Sequence, residues 1–347
     1  MFRESQFAVG RAGCPGSGRM VRDMVCAAVL LCGSLAAWGQ TSGSQTSGTS
    51  NPLPTGILVD VGGYRVHLHC TGNGSPTIFI VGAAFSFDWE LVQREIAKVS
   101  RVCTFDPSGT AWSDSFATAI RELDPGASPN SAPTCEDRVN EIHRLIETAP
   151  IGGPLLLVGF SVGALWERLY AANYPESIAG MVIVDHAFLP EPGAAARSTG
   201  AKAPSRAYTP PVLVAQAPML LGFEDDVNFG RLPERDQALH RWALAQHPVR
   251  PGEAMVVDCV AQIRRATRGR SFPLGDLPLT VIRTGDQSPG YDALQTRLLA
   301  LSRQSQIVMA WQSTHMVPID EPDVIVKAIE QIVERERARG GDRKMRP

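Results

Sequence analysis

The chain has 347 residues, of which 44% are hydrophobic and 20% are charged, and its formal net charge is -2 at pH 7. A chain of this length holds one large α/β domain or two small ones, and the composition is ordinary for a folded globular protein. The near balance of acidic and basic residues gives no reason to expect binding to nucleic acid or to an anionic membrane, so a small-molecule partner is the default expectation.

Residues 1–39 have the form of a secretory signal peptide. Arg19 and Arg22 precede an apolar run at 24–37, which ends in a small-x-small sequence of the kind that signal peptidases cleave. We expect cleavage after about Gly39, export to the periplasm or the medium, and no stable membrane insertion of the remaining chain. An uncleaved membrane anchor is the alternative, although the apolar run is short for a spanning helix.

After this segment, residues 40–55 are polar and small, which predicts a flexible linker. Apolar runs then alternate with helix-compatible segments over 56–187 and 276–334, which indicates an α/β fold with a mostly parallel eight-stranded sheet flanked by helices. The alternation is lost at 188–275, as is typical of a helical lid inserted between strands. The basic residues 335–347 predict a solvated, frayed tail. The predicted strands are 57–61, 64–70, 77–81, 101–105, 155–158, 181–184, 279–283 and 306–310, and the predicted lid helices are 234–246 and 253–268.

The most informative stretch follows the predicted strand at 155–158 and leads into a helix-compatible segment that ends before Pro175. Between them lies the pattern G-x-S-x-G, formed by Gly159, Ser161 and Gly163. Glycines two positions before and after the serine let the strand and the helix approach closely, and the strained turn holds the hydroxyl clear of the backbone. The sequence therefore predicts Ser161 as a nucleophile on a strand-to-helix elbow.

Two further residues follow predicted strands in the way that Ser161 does: Asp286 and His315. The carboxyl ends of parallel strands meet at one edge of a sheet, where ligands bind. A serine needs a histidine to take its proton and a carboxylate to orient that histidine. We therefore predict a catalytic triad of Ser161, Asp286 and His315. Asp185, at the end of the preceding strand, is the alternative acid.

The loop after the strand at 77–81 consists of small residues, Gly82, Ala83 and Ala84. Small side chains let a backbone N–H point into an active site, where it can stabilise the negative charge of an oxyanion. We predict the backbone N–H groups of Ala83 and Val162 as the oxyanion donors. An ordinary strand-to-helix turn is the alternative interpretation of this loop.

Signal cleavage would leave four cysteines: Cys70, Cys103, Cys135 and Cys259. An even number in an oxidising compartment permits two disulfides. Because Cys70 ends one predicted strand and Cys103 lies in another, we favour a disulfide between them over free thiols. The pairing of the other two stays open. No Cys/His spacing resembles a zinc site, and we predict neither a metal nor an organic cofactor.

Two polar features near the start of the domain are interpreted as structural. His67 and His69 lie on the polar side of a predicted strand, and we expect solvated side chains rather than a metal-binding pair. Asp106 follows another strand, and we expect it to hold its own loop by side-chain hydrogen bonds rather than to act in chemistry. Neither feature is assigned to the catalytic site.

Several stretches resemble the α/β-hydrolase superfamily, most closely its secreted bacterial members with a C-x-G-x-G…V-C-x-x-D opening. That opening is found here at 70–74 and 102–106, and the likeness covers roughly 61–334. The resemblance implies the α/β-hydrolase fold, with Ser161 as nucleophile and His315 as base. The other matching stretches are 157–163, 170–175, 182–185 and 314–318. The departures from the commonest form are Phe160 before the serine, Ala164 after the elbow, and Val81 in the oxyanion loop.

Together these features predict an exported serine hydrolase that cleaves a carboxylic ester through an acyl-enzyme intermediate, with an amide as the second choice of substrate. A serine at position 161 argues against epoxide hydrolases and haloalkane dehalogenases, which resemble this fold but attack with a carboxylate. The expected partner is a small ester-like substrate, and the expected state is a monomer. The alternatives are a catalytically silent binding protein of the same fold and an acyltransferase.

Overall fold

The computed structural model describes residues 51–82, 85–123, 126, 133–186, 228–246, 253–285 and 289–345. Its strands are β1 (Ile57–Asp60), β2 (Arg65–Thr71), β3 (Thr77–Val81), β4 (Val102–Asp106), β5 (Leu155–Phe160), β6 (Ile178–Val184), β7 (Leu279–Thr284) and β8 (Ser305–Ala310). They form one sheet in the order β1-β2-β4-β3-β5-β6-β7-β8. The β1–β2 and β2–β4 pairs are antiparallel, and the other pairs are parallel. The predicted mostly parallel, eight-stranded sheet is thus confirmed.

Helices flank this sheet. They are α1 (Glu90–Ile96), α2 (Phe116–Leu123), α3 (Cys135–Thr148), α4 (Gly163–Asn173), α5 (Glu234–Gln246), α6 (Glu253–Ala266), α7 (Pro289–Leu299), α8 (Val317–Asp320) and α9 (Pro322–Met345). Helix α1 packs on α9, while α4 packs on α3, α6 and β5. Every residue of β3, β5 and β6 is buried, as expected for strands covered on both faces.

The start of α3 shows how local sequence sets an element boundary. The Asp137 N–H donates to Thr134 Oγ1 at 3.1 Å, and the Thr134 N–H donates to Asp137 Oδ2 at 2.8 Å. This reciprocal capping satisfies amide groups that the first turn of a helix leaves without partners. It fixes where α3 begins and places Cys135 in the first turn.

Helices α5 and α6 lie in the segment predicted as a lid, and both are tied to the rest of the fold. A disulfide joins Cys135 of α3 to Cys259 of α6. His240 of α5 lies 2.9 Å from the Asp88 carboxylate through its Nδ1, and both side chains are fully buried. Most of the remaining lid segment falls outside the described residues.

The structure contains both disulfides that four cysteines permit. Cys70 and Cys103 face each other in the antiparallel register of β2 and β4, and they are bonded as the sequence favoured. Cys135 and Cys259, whose pairing the sequence left open, form the second bond. The signal segment and most of the predicted linker lie outside the described residues. Among the residues described, no helix is long and apolar enough to cross a membrane.

Two structural expectations from the sequence are wrong. His67 is not solvated: it is fully buried, with Nδ1 2.7 Å from Asp106 Oδ2. Residues 335–345 are not a frayed tail, because α9 continues to Met345. The Arg337 guanidinium donates to the carbonyl oxygens of Ser75 and Val99, and these bonds tie α9 at residue 337 to the segments before β3 and after α1.

Candidate active site

The turn between β5 and α4 carries Ser161 in the left-handed backbone region, with φ of 55°. A Cβ added at Gly163 would lie 1.9 Å from the Val81 carbonyl oxygen, and one at Gly159 would lie 2.3 Å from the Glu167 carboxyl carbon. Both distances are far below van der Waals contact, so larger residues would push the strand and the helix apart. The two glycines therefore allow the strained turn that presents the serine hydroxyl.

His315 connects this serine to a carboxylate. Its Nε2 lies 3.0 Å from Ser161 Oγ, and its Nδ1 lies 2.6 Å from Asp185 Oδ2. Ser161 and Asp185 are buried, whereas 31% of the His315 side chain is exposed. The three side chains thus form a hydrogen-bonded chain whose imidazole reaches the surface, an arrangement suited to moving a proton to and from the serine.

The carboxylate in this chain belongs to the residue that the sequence ranked second. Asp185 directly follows β6 and has a left-handed backbone conformation, with φ of 38°. Its N–H donates to the Ile282 carbonyl oxygen of β7 at 2.9 Å, which continues the sheet pairing beyond the end of the strand. Asp286, ranked first, lies outside the described residues. The structure therefore brings together Ser161, His315 and the alternative acid.

The loop that carries His315 is held by Asp320 of α8, a residue that the sequence analysis did not single out. Asp320 Oδ2 accepts hydrogen bonds from the N–H and the hydroxyl of Thr314, both at 2.7 Å. Its Oδ1 accepts a bond from the Asn228 side chain at 2.8 Å. Because Thr314 is adjacent to His315, Asp320 fixes the direction in which the imidazole leaves the backbone. The only sequence signal was an acidic residue shortly after the histidine.

Of the two predicted oxyanion donors, only Val162 lies within the described residues. Val162 is buried directly after Ser161, at the start of α4, where the first backbone N–H groups of a helix have no partner within the helix. Ala83 lies outside the described residues. After this loop, the Phe85 N–H donates to Asp88 Oδ2 at 2.9 Å, and the Ser86 N–H donates to Asp106 Oδ1 at 2.8 Å. Two buried carboxylates therefore anchor the end of this loop.

Two aromatic side chains pack beside the imidazole of His315, directly or through one another. The Phe160 ring packs against the His315 imidazole with centroids 4.9 Å apart, and against Trp89 at 5.9 Å. Beneath the elbow, burial raises the pKa of the Glu167 carboxyl well above its usual range, against the charge of Arg168 and the Gly159 backbone. Phe160, a departure from the commonest motif, thus supplies one wall of the imidazole site.

Within the described part of the chain, no group of three or more His, Cys, Asp or Glu side chains is arranged to hold a metal ion.

Comparisons with known proteins bear on the fold around this site. A family model for the alpha/beta hydrolase fold matches residues 76–340. The uncharacterized protein YqjL of Bacillus subtilis (strain 168) is 23% identical over 269 residues, which span 75% of this chain and 85% of YqjL. A candidate lipase from Acinetobacter baumannii AYE superposes with a TM-score of 0.56 at 16% identity, over 82% of this chain and 92% of that chain. A thermophilic esterase from Thermogutta terrifontis has a TM-score of 0.53 at 16% identity, over 80% of this chain and 98% of that chain.

At these identities the solved structures show a shared fold. The family model spans most of the chain, from β3 into α9, and includes both Ser161 and His315. Its range covers six of the eight strands and includes the turn between β5 and α4 that carries Ser161. The chain therefore belongs to the α/β-hydrolase fold family, as the sequence predicted.

Proposed function

We propose that this protein is a serine hydrolase that cleaves a carboxylic ester through an acyl-enzyme intermediate. The observation that carries the proposal is the chain from Ser161 Oγ to His315 Nε2 and from His315 Nδ1 to the Asp185 carboxylate. Ser161 is the nucleophile, His315 the general base and acid, and Asp185, rather than Asp286, the acid of the triad. The esterase and the candidate lipase among the structures of the same fold support an ester as the substrate class.

In the proposed reaction, His315 Nε2 takes the hydroxyl proton as Ser161 Oγ attacks the ester carbonyl carbon, and the carbonyl oxygen becomes an oxyanion. The N–H of Val162 and an N–H of the loop after β3, Ala83 by the sequence prediction, stabilise that charge. The intermediate collapses to the acyl-enzyme, and the imidazolium gives its proton to the departing alcohol. Water, deprotonated by His315, then releases the carboxylic acid and restores the serine. Asp185 keeps the imidazole in the tautomer whose Nε2 can accept a proton.

A fluorophosphonate probe tests this function without knowledge of the natural substrate, because it reacts with an activated serine. We expect the probe to label the folded protein at Ser161, and we expect Ser161→Ala to abolish both the labelling and the hydrolysis of p-nitrophenyl esters. Ser115→Ala, at an exposed serine distant in sequence, serves as the matched control and should label like the wild type. The labelling site is identified by mass spectrometry of the modified peptide.

The outcomes separate the alternatives. A folded protein that the probe does not label supports a silent binding protein and removes the enzyme proposal. Labelling at Ser161 with acyl transfer to an added alcohol, but no net hydrolysis, supports an acyltransferase. Ester hydrolysis over a series of graded acyl lengths then defines which acyl group the site prefers.

We also propose that the protein is exported. The signal-like segment at 1–39 and the two disulfides support this, because disulfides persist in oxidising compartments. N-terminal sequencing of material from the periplasm or the medium should give a first residue near Gln40. An N-terminus at Met1, or at Met20 as an alternative start of translation, would instead support an uncleaved anchor.

A further inference from the structure

The carboxylate of Asp185 has a second partner besides the imidazole. Its Oδ2 faces His315 Nδ1 at 2.6 Å, while its Oδ1 accepts a hydrogen bond from the phenolic hydroxyl of Tyr291. The Tyr291 oxygen in turn accepts a hydrogen bond from the Thr284 backbone N–H at 3.1 Å. Only 5% of Tyr291 is exposed. The hydrogen-bonded chain therefore runs on from serine, histidine and carboxylate to a buried tyrosine and the end of β7.

The surroundings of Tyr291 fix its ring and keep its proton in place. The Arg283 guanidinium lies 5.3 Å from the ring centroid, and Arg283 forms an ion pair with Asp292, the next residue of α7. Burial, followed by the nearby charge of Asp185, raises the pKa of the Tyr291 hydroxyl well above its usual range. A phenol that stays protonated can donate to a carboxylate throughout the neutral pH range.

We propose that Tyr291 is a positioning residue of the triad, which pins the second oxygen of Asp185 so that the first faces His315. This inference rests on the proposed function. Asp185 directly follows β6, and a partner on its second oxygen sets the rotation of the carboxylate relative to the imidazole of His315. Tyr291 supplies that partner from the first helix after β7. Tyr291, in the helix after β7, thus holds the carboxylate of Asp185, which follows β6.

The donated hydrogen bond also has an electrostatic consequence. It draws negative charge away from the carboxylate, so removing it concentrates that charge and stabilises the imidazolium form of His315. In Tyr291→Phe, the acid limb of the kcat/KM profile should therefore move to higher pH. Among the described residues, Arg283 and Asp292 lie beside Tyr291, Asp320 holds the loop of His315, and Arg168 donates to the ring of His186 next to Asp185. The variant leaves all of these groups in place.

The first test is an NMR titration of the His315 ring in the full chain, which does not depend on catalysis. We expect a higher midpoint in Tyr291→Phe than in the wild type, together with kcat/KM lowered about tenfold through kcat, the usual effect of losing one hydrogen bond to a charged group. Tyr64→Phe is the matched control: it removes another buried hydroxyl, at the opposite end of the strand order, and should leave the His315 midpoint unchanged.

Two further variants keep the inference falsifiable. Fluorotyrosine incorporated at position 291 is a stronger hydrogen-bond donor of nearly the same shape, and it should move the His315 midpoint to lower pH. In an Asp185→Asn background, Tyr291→Phe should cause much less than its tenfold loss, because the group through which it acts has already changed.

Each result has one meaning. An unchanged His315 midpoint in both the phenylalanine and the fluorotyrosine proteins overturns the positioning role, even if Tyr291→Phe lowers activity by loosening the fold. A shifted midpoint in a protein whose wild type resists the fluorophosphonate probe keeps the positioning role and removes the proposed hydrolase function.

Discussion

Asp185→Asn is expected to lower kcat by about ten-thousand-fold with p-nitrophenyl esters, while Asp286→Asn is expected to stay within a few-fold of the wild type. The asparagine keeps the shape of the carboxylate, but it replaces one of the two acceptor oxygens with an NH2 donor, so it no longer holds the Nδ1–H tautomer of His315 as a carboxylate does. If an amide N–H faces Nδ1, the ring holds its proton on Nε2, 3.0 Å from Ser161 Oγ. A protonated Nε2 cannot act as the base for the serine.

The comparison is matched because both variants change an aspartate to asparagine after neighbouring strands, β6 and β7. Thermal melts of both proteins establish that they are folded, and the rate of fluorophosphonate labelling should follow kcat. If Asp286→Asn loses orders of magnitude and Asp185→Asn stays near normal turnover, the acid assigned here is wrong and the sequence ranking was right.

The sheet was readable from the sequence for a simple reason. Strands buried on both faces form continuous apolar runs, such as those of β3 and β5, and turn residues bound them. The prediction for His67 was wrong because polar residues alternate with apolar ones in this strand, a pattern that is typical of a solvent-exposed face. Its partner, Asp106, lies 39 positions along the chain, and only the pairing of β2 with β4 brings the two together. Local pattern cannot reveal a partner of that kind.

In the candidate site, too, features formed by adjacent residues could be predicted from the sequence, and contacts between distant residues could not. The elbow is a local feature, so Gly159, Ser161 and Gly163 could be predicted together. Local sequence cannot identify the carboxylate that contacts His315, because the neighbouring strands β6 and β7 are each followed by an aspartate at the same edge of the sheet. The choice between them depends on backbone φ and on the partners of the side chain. Tyr291 and Asp320 could not be predicted for the same reason. Tyr291 contacts Asp185 and Asp320 contacts Thr314, and neither residue type nor sequence spacing indicates these contacts.

Of the two disulfides, removal of Cys135–Cys259 is expected to lower the stability of the fold more. The bond joins residues 124 positions apart, and by the loop-entropy relation a cross-link of this span stabilises the fold by about 5 kcal/mol. We expect Cys135→Ala combined with Cys259→Ala to lower the free energy of unfolding by an amount approaching this figure. Part of the link would remain, because the Cys135 N–H also donates to Asp258 Oδ2 at 3.0 Å. Urea denaturation without reductant measures the change.

The Cys70–Cys103 pair provides the matched control. It spans 33 positions, for which the same relation gives about 4 kcal/mol, and it joins strands that the sheet register already holds side by side. The double alanine variant of this pair should therefore lose less stability than that of Cys135 and Cys259. The longer bond ties α6 of the lid segment to α3. Its removal should also speed proteolysis within 188–275 while the rest of the domain stays resistant. Equal losses in the two variants, or four titratable thiols in the native protein, would contradict a disulfide that anchors the lid segment.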